Sequence, residues 1–352
     1  MDFSMRIICI FMENNEKKSL YHPVRIGSLE LGGNIFLAPV AGYSDRAFRS
    51  ICFECGADFA YTEMVSAEAL TRNNKKTEIL MRRAPNEKAY AVQIFGGTPD
   101  VMADAAKIVI EKTDAECIDI NCGCPVPKIV KTGAGSALTR DPDRLYSVVR
   151  AVVRSVSESA RAAVPVTVKI RSGWDSESIT WREAAEAALS AGAAAITIHG
   201  RTKAQGYEGK ADWGILAELK KLVDGKTGGT VPVFGSGDAF SPEDAKRMLE
   251  TTGCDGVMFA RGAMGNPFIF TRTKHLLVDG TDIDVPVEER IRAGFRELSL
   301  LVEDIGEEAA CRESRKRFCA YTKGIDGGAA LRKQIVASST VEEYRAVFGK
   351  YL

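Results

Sequence analysis

Net charge is the first thing this sequence lacks: 47 lysines and arginines are balanced by 47 aspartates and glutamates over 352 residues. A uniformly basic, nucleic-acid-coating surface is therefore excluded, although a local basic face is not. Histidine is scarce, with three in the chain. No second Cys/His pair lies near Cys122 and Cys124, so a zinc site of three or four ligands finds no support there. Long apolar runs are missing too. Ile7–Met12 is cut off by Glu13 and the polar stretch after it, short of the about 7–15 residues of a signal core and the about 20 of a membrane span. Neither a solenoid repeat nor a low-complexity tract is present. Nine cysteines, an odd count without a repeating framework, read as reduced thiols of a cytoplasmic protein.

What is present is globular. Hydrophobic residues make up 45% and charged residues 27%, which excludes disorder, collagen and coiled coil. Thirty-two glycines suit a fold with many tight strand-to-helix turns. Residues 1–18 read as a disordered extension or as a start codon placed too early, with Met12 the natural alternative.

Short apolar, β-branched runs recur between longer amphipathic stretches. Strands are expected at Ile35–Ala38, Phe59–Glu63, Ala91–Phe95, Cys117–Asn121, Val166–Ile170, Ala195–His199, Val231–Phe234 and Gly256–Ala260. Their starts are spaced by about 32 residues, the size of a βα unit. Pro99, Asp141-Pro142 and Ser241-Pro242 mark helix starts, with proline in the first turn. Eight such units predict a (β/α)8 TIM barrel over 19–280, with an open doubly wound sheet as the alternative. From 281 to 352 the pattern turns helical, with helices expected at Val287–Ile305 and Glu307–Lys323. A small C-terminal helical domain is expected there.

Functional groups of a parallel barrel gather at the C-terminal ends of its strands. Those positions hold Pro39-Val40-Ala41, Glu63, Gln93, Asn121 to Cys124, Lys169 with Arg171, His199 with Arg201, Gly235 to Asp238, and Ala260-Arg261-Gly262. The last two groups leave strands seven and eight, where barrels often build phosphate sites from backbone N–H groups. One glycine-rich turn is usually only a turn. Two on these two strands point to a phosphate-bearing ligand, with Arg261 adding charge. Lys169 closes an apolar strand and cannot face the core uncompensated. It can be a Schiff-base lysine, an ion-pair partner, or a cofactor ligand that stabilises the negative charge of a reduced flavin, with Gln93 on the ring's polar edge. His199, at a strand end before Gly200-Arg201-Thr202, favours ligand contact over a core role.

Cys52 and Cys55 sit on a helix and read as buried structural thiols. Cys124, between glycine and proline at the mouth, is the reactive candidate. An ordinary thiol, with pKa about 8.5, is mostly protonated near neutrality and can serve as a general acid.

These residues together resemble the tRNA-dihydrouridine synthase family. The runs that carry the resemblance are LAPVAGYSDRAFR (37–49), YTEMVSAEAL (61–70), VQIFGG (92–97), IDINCGCPVPKIVKTGAGSAL (118–138), VTVKIRSGWD (166–175), ITIHGRTKAQGYEGKADW (196–213), VFGSGD (233–238) and GVMFARGAMGNPFIF (256–270). The resemblance implies an FMN-dependent enzyme that reduces uridines of tRNA to 5,6-dihydrouridine, with NADPH (or NADH) as electron donor. It implies that Pro39, Val40, Ala41, Gln93, Lys169 and His199 hold the isoalloxazine ring, and that Ser236, Gly237, Asp238, Ala260 and Arg261 hold the ribityl phosphate. Cys124 matches the catalytic cysteine, expected to protonate C5 of the uracil while hydride reaches C6. Asn121 and Arg171 match positions that contact the flipped base. Two departures stand out. Cys122 replaces a bulky apolar residue, and Arg-Lys-Arg-Phe (315–318) lacks a histidine that relatives often carry after the Arg-Lys pair.

From Cys311 to Lys333 seven basic residues face two acidic ones. Arg312, Arg315, Lys316 and Lys323 are expected along one helical stripe. With Lys128, Lys131 and Arg140 at the barrel mouth, the stripe is expected to meet an RNA backbone, Arg315 and Lys316 foremost. The target base would leave its stack to reach the flavin. The chain is expected to act as a cytoplasmic monomer with tRNA as partner, without metal or membrane. Rivals are a small-molecule flavoprotein of the dihydroorotate dehydrogenase kind, a Schiff-base aldolase using Lys169, and a tRNA-binding chaperone without chemistry.

Overall fold

Eight parallel strands close into a barrel. A computed structural model describes residues 19–352; the expected extension over 1–18 and the alternative start at Met12 lie outside the described residues. The strands are β1 (Ile35–Leu37), β2 (Phe59–Tyr61), β3 (Tyr90–Phe95), β4 (Cys117–Cys122), β5 (Val166–Arg171), β6 (Ala195–His199), β7 (Val233–Ser236) and β8 (Gly256–Phe259). Each pairs in parallel with its neighbour in sequence, and β8 pairs back to β1 with Val257 opposite Ile35. That closure leaves the ring without an edge and rules out the open doubly wound sheet. Each expected strand falls within two residues of an observed one at both ends.

Helices α1 (Arg46–Glu54), α2 (Pro99–Lys112), α3 (Pro142–Ser157), α4 (Trp181–Ala191), α5 (Trp213–Thr227), α6 (Pro242–Thr252) and α7 (Ile269–Asp279) follow β1 and β3 to β8. Their starts obey local chemistry. The Asp141 carboxylate accepts from the Arg144 N–H, and Ser241 and Asp244 form a reciprocal capping box ahead of Pro242. Such caps contribute about 0.5–2 kcal/mol each.

Side-chain alternation along the strands sorts the interior from the helix layer. In β4, Ile118, Ile120 and Cys122 join the apolar layer under the helices. Cys117, Asp119 and Asn121 point the other way, along the barrel axis. The lower interior is apolar and aromatic. Phe36 meets Phe59 and Phe234 edge-on, with centroids 5.7 and 4.9 Å apart. An unanticipated hairpin, Val24–Ile26 with Leu29–Leu31, adds Val24, Ile26 and Leu31 to this cluster and covers the end away from the mouth. A two-residue strand, Val65–Ser66, also adds to β3.

The C-terminal region contains α8 (Val287–Ile305), α9 (Glu307–Tyr321), α10 (Gly328–Ala337) and α11 (Val341–Phe348). Helix α9 ends at Tyr321, so Lys323 lies beyond the helix expected to carry it. The helices bury Leu298, Phe318, Tyr321 and Phe348 against Ala47, Ile51 and Cys55 of the first barrel helix and its end. A charged anchor reinforces that seam. Arg317, 2% exposed, pairs with the buried Glu297 and with Asp45, the N-cap of α1. Removing Arg317 alone would strand a buried carboxylate, at a cost of about 3–5 kcal/mol.

Candidate active site

A single cavity of about 270 Å³ takes in nearly the whole expected constellation. Pro39, Val40, Ala41, Gln93, Lys169, His199, Ser236, Gly237, Asp238, Ala260 and Arg261 all line it, together with Cys124, Asn121 and Arg171. The fold brings them there because each lies in the C-terminal half of a barrel strand or in the loop that follows it.

The cysteine loop is held from several directions. Gly123 and Cys124 donate their backbone N–H groups to Asn121 Oδ1 at 3.2 and 2.9 Å. The Gly123 carbonyl accepts from Arg171 Nε at 2.7 Å and Ser136 Oγ at 2.9 Å. Arg171 Nη1 also donates to the carbonyls of Thr202 and Gly206, stapling the loops after β4 and β6. Burial pushes the Cys124 thiol up, against the opposing effects of the Val126 N–H and Arg171. At neutral pH it is a thiol, able to give a proton.

Lys169 and His199 line the cavity, and their side chains have no hydrogen-bond partner among the described residues. Burial and the nearby Arg171 push the Lys169 ammonium down to about 8, while Asp119 pulls the other way. Its Nζ makes no hydrogen bond or ion pair among the described residues. Burial, then Lys169, Arg171, Arg201 and Arg261, push His199 down to about 2, so its imidazole is neutral. The His199 Nδ1 is buried and has no partner among the described residues.

Beside His199, Gly237 (φ +110°) and Asp238 (φ +58°) turn the chain through the left-handed region. A Cβ at Gly237 would sit 2.9 Å from Ala211 Cβ. Their N–H groups donate no hydrogen bond among the described residues, the arrangement of an anion-binding turn. The Asp238 carboxylate is taken up by protein donors. It accepts from Arg201 Nη1 and Nη2, both at 2.8 Å, from the Ala211 N–H, and from Arg261 Nη2 at 3.2 Å. Asp238 thus aims two arginines and leaves its backbone N–H on the cavity side of the turn. Arg261 also lies between the exposed rings of Tyr207 and Phe240, at 4.5 and 5.0 Å.

The sequence signature of the dihydrouridine synthase family matches residues 36–349. The chain belongs to the dihydrouridine synthase family. It is 55% identical over 333 residues to a probable tRNA-dihydrouridine synthase of Treponema pallidum (strain Nichols), covering 94% of this chain and 97% of that one. It is 38% identical over 315 residues to tRNA-dihydrouridine synthase B of Pseudomonas putida, covering 89% and 90%. Among solved structures, histamine dehydrogenase from Rhizobium sp. 4-9 aligns with a TM-score of 0.54 at 13% identity, over 79% of this chain and 51% of that one. DHODH from Eimeria tenella, in complex with ferulenol, gives 0.53 at 15% identity, over 79% and 91%. At those identities the likeness is one of barrel fold alone.

Cys122, where the resemblance led to the expectation of a bulky apolar residue, stands two residues before Cys124. It is fully buried in the helix-facing layer, and burial pushes its thiol far up. It packs as a small apolar residue would. The other described cysteines are also free, and Cys52 and Cys55 are buried. Among the described residues no cluster of His, Cys, Asp and Glu could hold a metal ion, and no helix is long and apolar enough to cross a membrane.

The expected RNA contacts divide. Lys128 and Lys131 are exposed on and just after the short helix Pro127–Val130 that follows Cys124. Arg315 donates to the Ser338 carbonyl and Ser339 Oγ, and Lys316 donates to the Gly42 carbonyl at 2.7 Å while pairing with Glu313. Arg317, counted with the basic residues, is buried in its ion pair and takes no part in a surface charge. Sequence reasoning passed over Asp119, which the alternation of β4 alone turns inward. It also passed over Tyr207, whose exposed ring lines the cavity.

Proposed function

We propose that this chain reduces the C5=C6 bond of uridines in tRNA to 5,6-dihydrouridine, using bound FMN that is re-reduced by NADPH or NADH. One juxtaposition carries the proposal: a protonated Cys124 shares its cavity with Lys169, a neutral His199 and the free amides of Gly237 and Asp238. The cavity suits FMN because its unpaired groups match the two ends of that molecule. Gly237, Asp238, Ser236, Ala260 and Arg261 would hold the phosphate; Pro39, Val40, Ala41, Gln93, Lys169 and His199 would hold the ring. When bound, FMN supplies the hydride for C6 of the base. Cys124 donates the proton to C5, a task for which its raised pKa keeps it in the thiol form. Asn121 and Arg171 orient the base, the one by seating the Cys124 loop and the other through the guanidinium edge left over from stapling the loops. Lys169 places positive charge where the reduced ring develops negative charge. Lys128, Lys131, Arg315 and Lys316 would take backbone phosphates of a tRNA whose target base has left its stack. A cytoplasmic monomer fits this role.

An anaerobic titration tests the proposal. The protein is reduced with NADPH, tRNA lacking dihydrouridine is added, and flavin absorbance is followed. Reoxidation by tRNA, but not by orotate, fumarate or free uridine, is the expected result. A yellow protein that ignores tRNA, or a colourless one that cannot be loaded with FMN, would overturn it.

A further inference from the structure

Asp119 lies in the middle of β4, fully buried, between the aromatic floor of the barrel and the cavity above it. Taking a carboxylate out of water costs several kcal/mol unless it is paired and hydrogen-bonded. Burial accordingly pushes it up to about 6, against the hydrogen bonds of Gln93 and Thr167 and the charge of Lys169. Thr167 Oγ1 donates to Oδ1 and Gln93 Nε2 donates to Oδ2, both at 2.6 Å. The run continues upward. Gln93 Oε1 accepts from Asn121 Nδ2 at 2.8 Å, and Asn121 Oδ1 accepts from the Cys124 N–H at 2.9 Å.

An isolated chain of two amides has two directions of nearly equal energy. Here both ends are fixed by chemistry. An ionised carboxylate only accepts, and a backbone N–H only donates. Gln93 must therefore turn its NH2 toward Asp119, and Asn121 must turn its oxygen toward the cysteine loop. If Gln93 reversed, Asn121 would reverse with it, and its NH2 would face the N–H groups of Gly123 and Cys124. Those donors would be left without an acceptor, at about 1–3 kcal/mol for each buried group.

We propose that Asp119 is a positioning residue: as the terminal acceptor it sets the direction of the Gln93 and Asn121 amides and so seats the loop that presents Cys124. The link to catalysis rests on the proposed role of Cys124; the seating itself does not.

The test compares Asp119→Leu, which matches the volume but accepts nothing, with Asp119→Asn. The asparagine can still turn its oxygen to Gln93 while the Thr167 hydroxyl accepts its NH2. Two readouts are taken: the alkylation rate of Cys124 by iodoacetamide in FMN-free protein, followed by mass spectrometry, and the rate of flavin reoxidation by tRNA at saturating FMN. Asp119→Leu is expected to change the alkylation rate at least fivefold and slow reoxidation at least tenfold, with Asp119→Asn within threefold of the parent in both. An Asp119→Leu protein that matches the parent, or an Asp119→Asn protein as impaired as Asp119→Leu, overturns the proposal. Should Asp119→Leu fail to fold, Asp119→Ala, which also offers Gln93 no acceptor, takes its place with the same expected changes; an Asp119→Ala protein that matches the parent overturns the proposal. A parent protein that never reduces tRNA would refute the proposed function, while the alkylation rates would still decide the seating.

Discussion

The two sides of the barrel mouth treat their polar groups in opposite ways. On the β3–β5 side, Gln93, Asp119, Asn121 and the Cys124 loop bond to one another in a continuous run. On the β6–β8 side, His199 Nδ1 and the amides of Gly237 and Asp238 have no partner among the described residues. A satisfied network holds its geometry before any ligand arrives. Unsatisfied donors do the reverse, because a ligand that meets them recovers about 1–3 kcal/mol for each buried group. On the proposed function, the mouth is thus closed where the reaction would need a fixed acid and open where the cofactor would need affinity. Damage to the first side should appear in rates, and damage to the second in binding.

Cys124→Ala gives the largest expected effect. Removing a positioned acid typically costs about 10²–10⁴ in rate. Single-turnover reoxidation by tRNA should fall by that order, while flavin and tRNA titrations still show binding. Full activity would remove the acid role of Cys124. Gly237→Val attacks the open side. The new Cβ would sit 2.9 Å from Ala211 Cβ at φ +110°, strain of about 1–3 kcal/mol. FMN affinity, read by fluorescence quenching, should weaken by about 10–100-fold; unchanged affinity would place the phosphate elsewhere.

The asymmetry also explains what could be read from the chain. Strand ends are marked locally, by short apolar runs followed by glycine or a lone polar residue, so Gln93, Lys169, His199 and Gly237 were legible as mouth residues. Helix starts were legible because Asp141 and Ser241 cap through neighbours three residues away. Asp119 was not, since in sequence it is one polar residue between two isoleucines. Its meaning depends on Gln93 and Thr167, 26 and 48 residues distant. Arg317 misled for the same reason. Its partners Asp45 and Glu297 belong to other elements, and nothing local distinguishes it from the exposed Arg312. The hairpin Val24–Leu31 escaped because three-residue strands show too little alternation.

Lys169 joins the two sides, and its titration sharpens the contrast between them. It lies at about 8, held down by burial and by Arg171 against the pull of Asp119. A cation that gains an electron-rich partner on binding has its pKa raised in the complex. The affinity it supplies is therefore complete below about pH 8 and falls by up to tenfold per pH unit above it. FMN dissociation constants measured from pH 6.5 to 9.5 should follow that curve, and Lys169→Met should flatten it. A curve that persists in Lys169→Met would assign the titration to another group.

The smallest expected effect concerns Arg315 and Lys316, which serve either the RNA or the protein. Lys316 grips the Gly42 carbonyl, and Glu63 accepts from the N–H of the same Gly42. The loop that carries Pro39 to Ala41 is thereby tied to α9. Arg315 ties α9 to the segment between α10 and α11 through Ser338. Alanine at both positions should weaken tRNA binding by several-fold. The informative quantity is the salt slope. Removing one cation that neutralises a phosphate should reduce the slope of log K against log salt by about 1, whereas loss of bracing alone would lower affinity equally at every ionic strength. A slope smaller by one or two assigns these side chains to the RNA. An unchanged slope with lower affinity assigns them to the loop, and would leave Lys128 and Lys131 as the cations that meet the backbone beside Cys124.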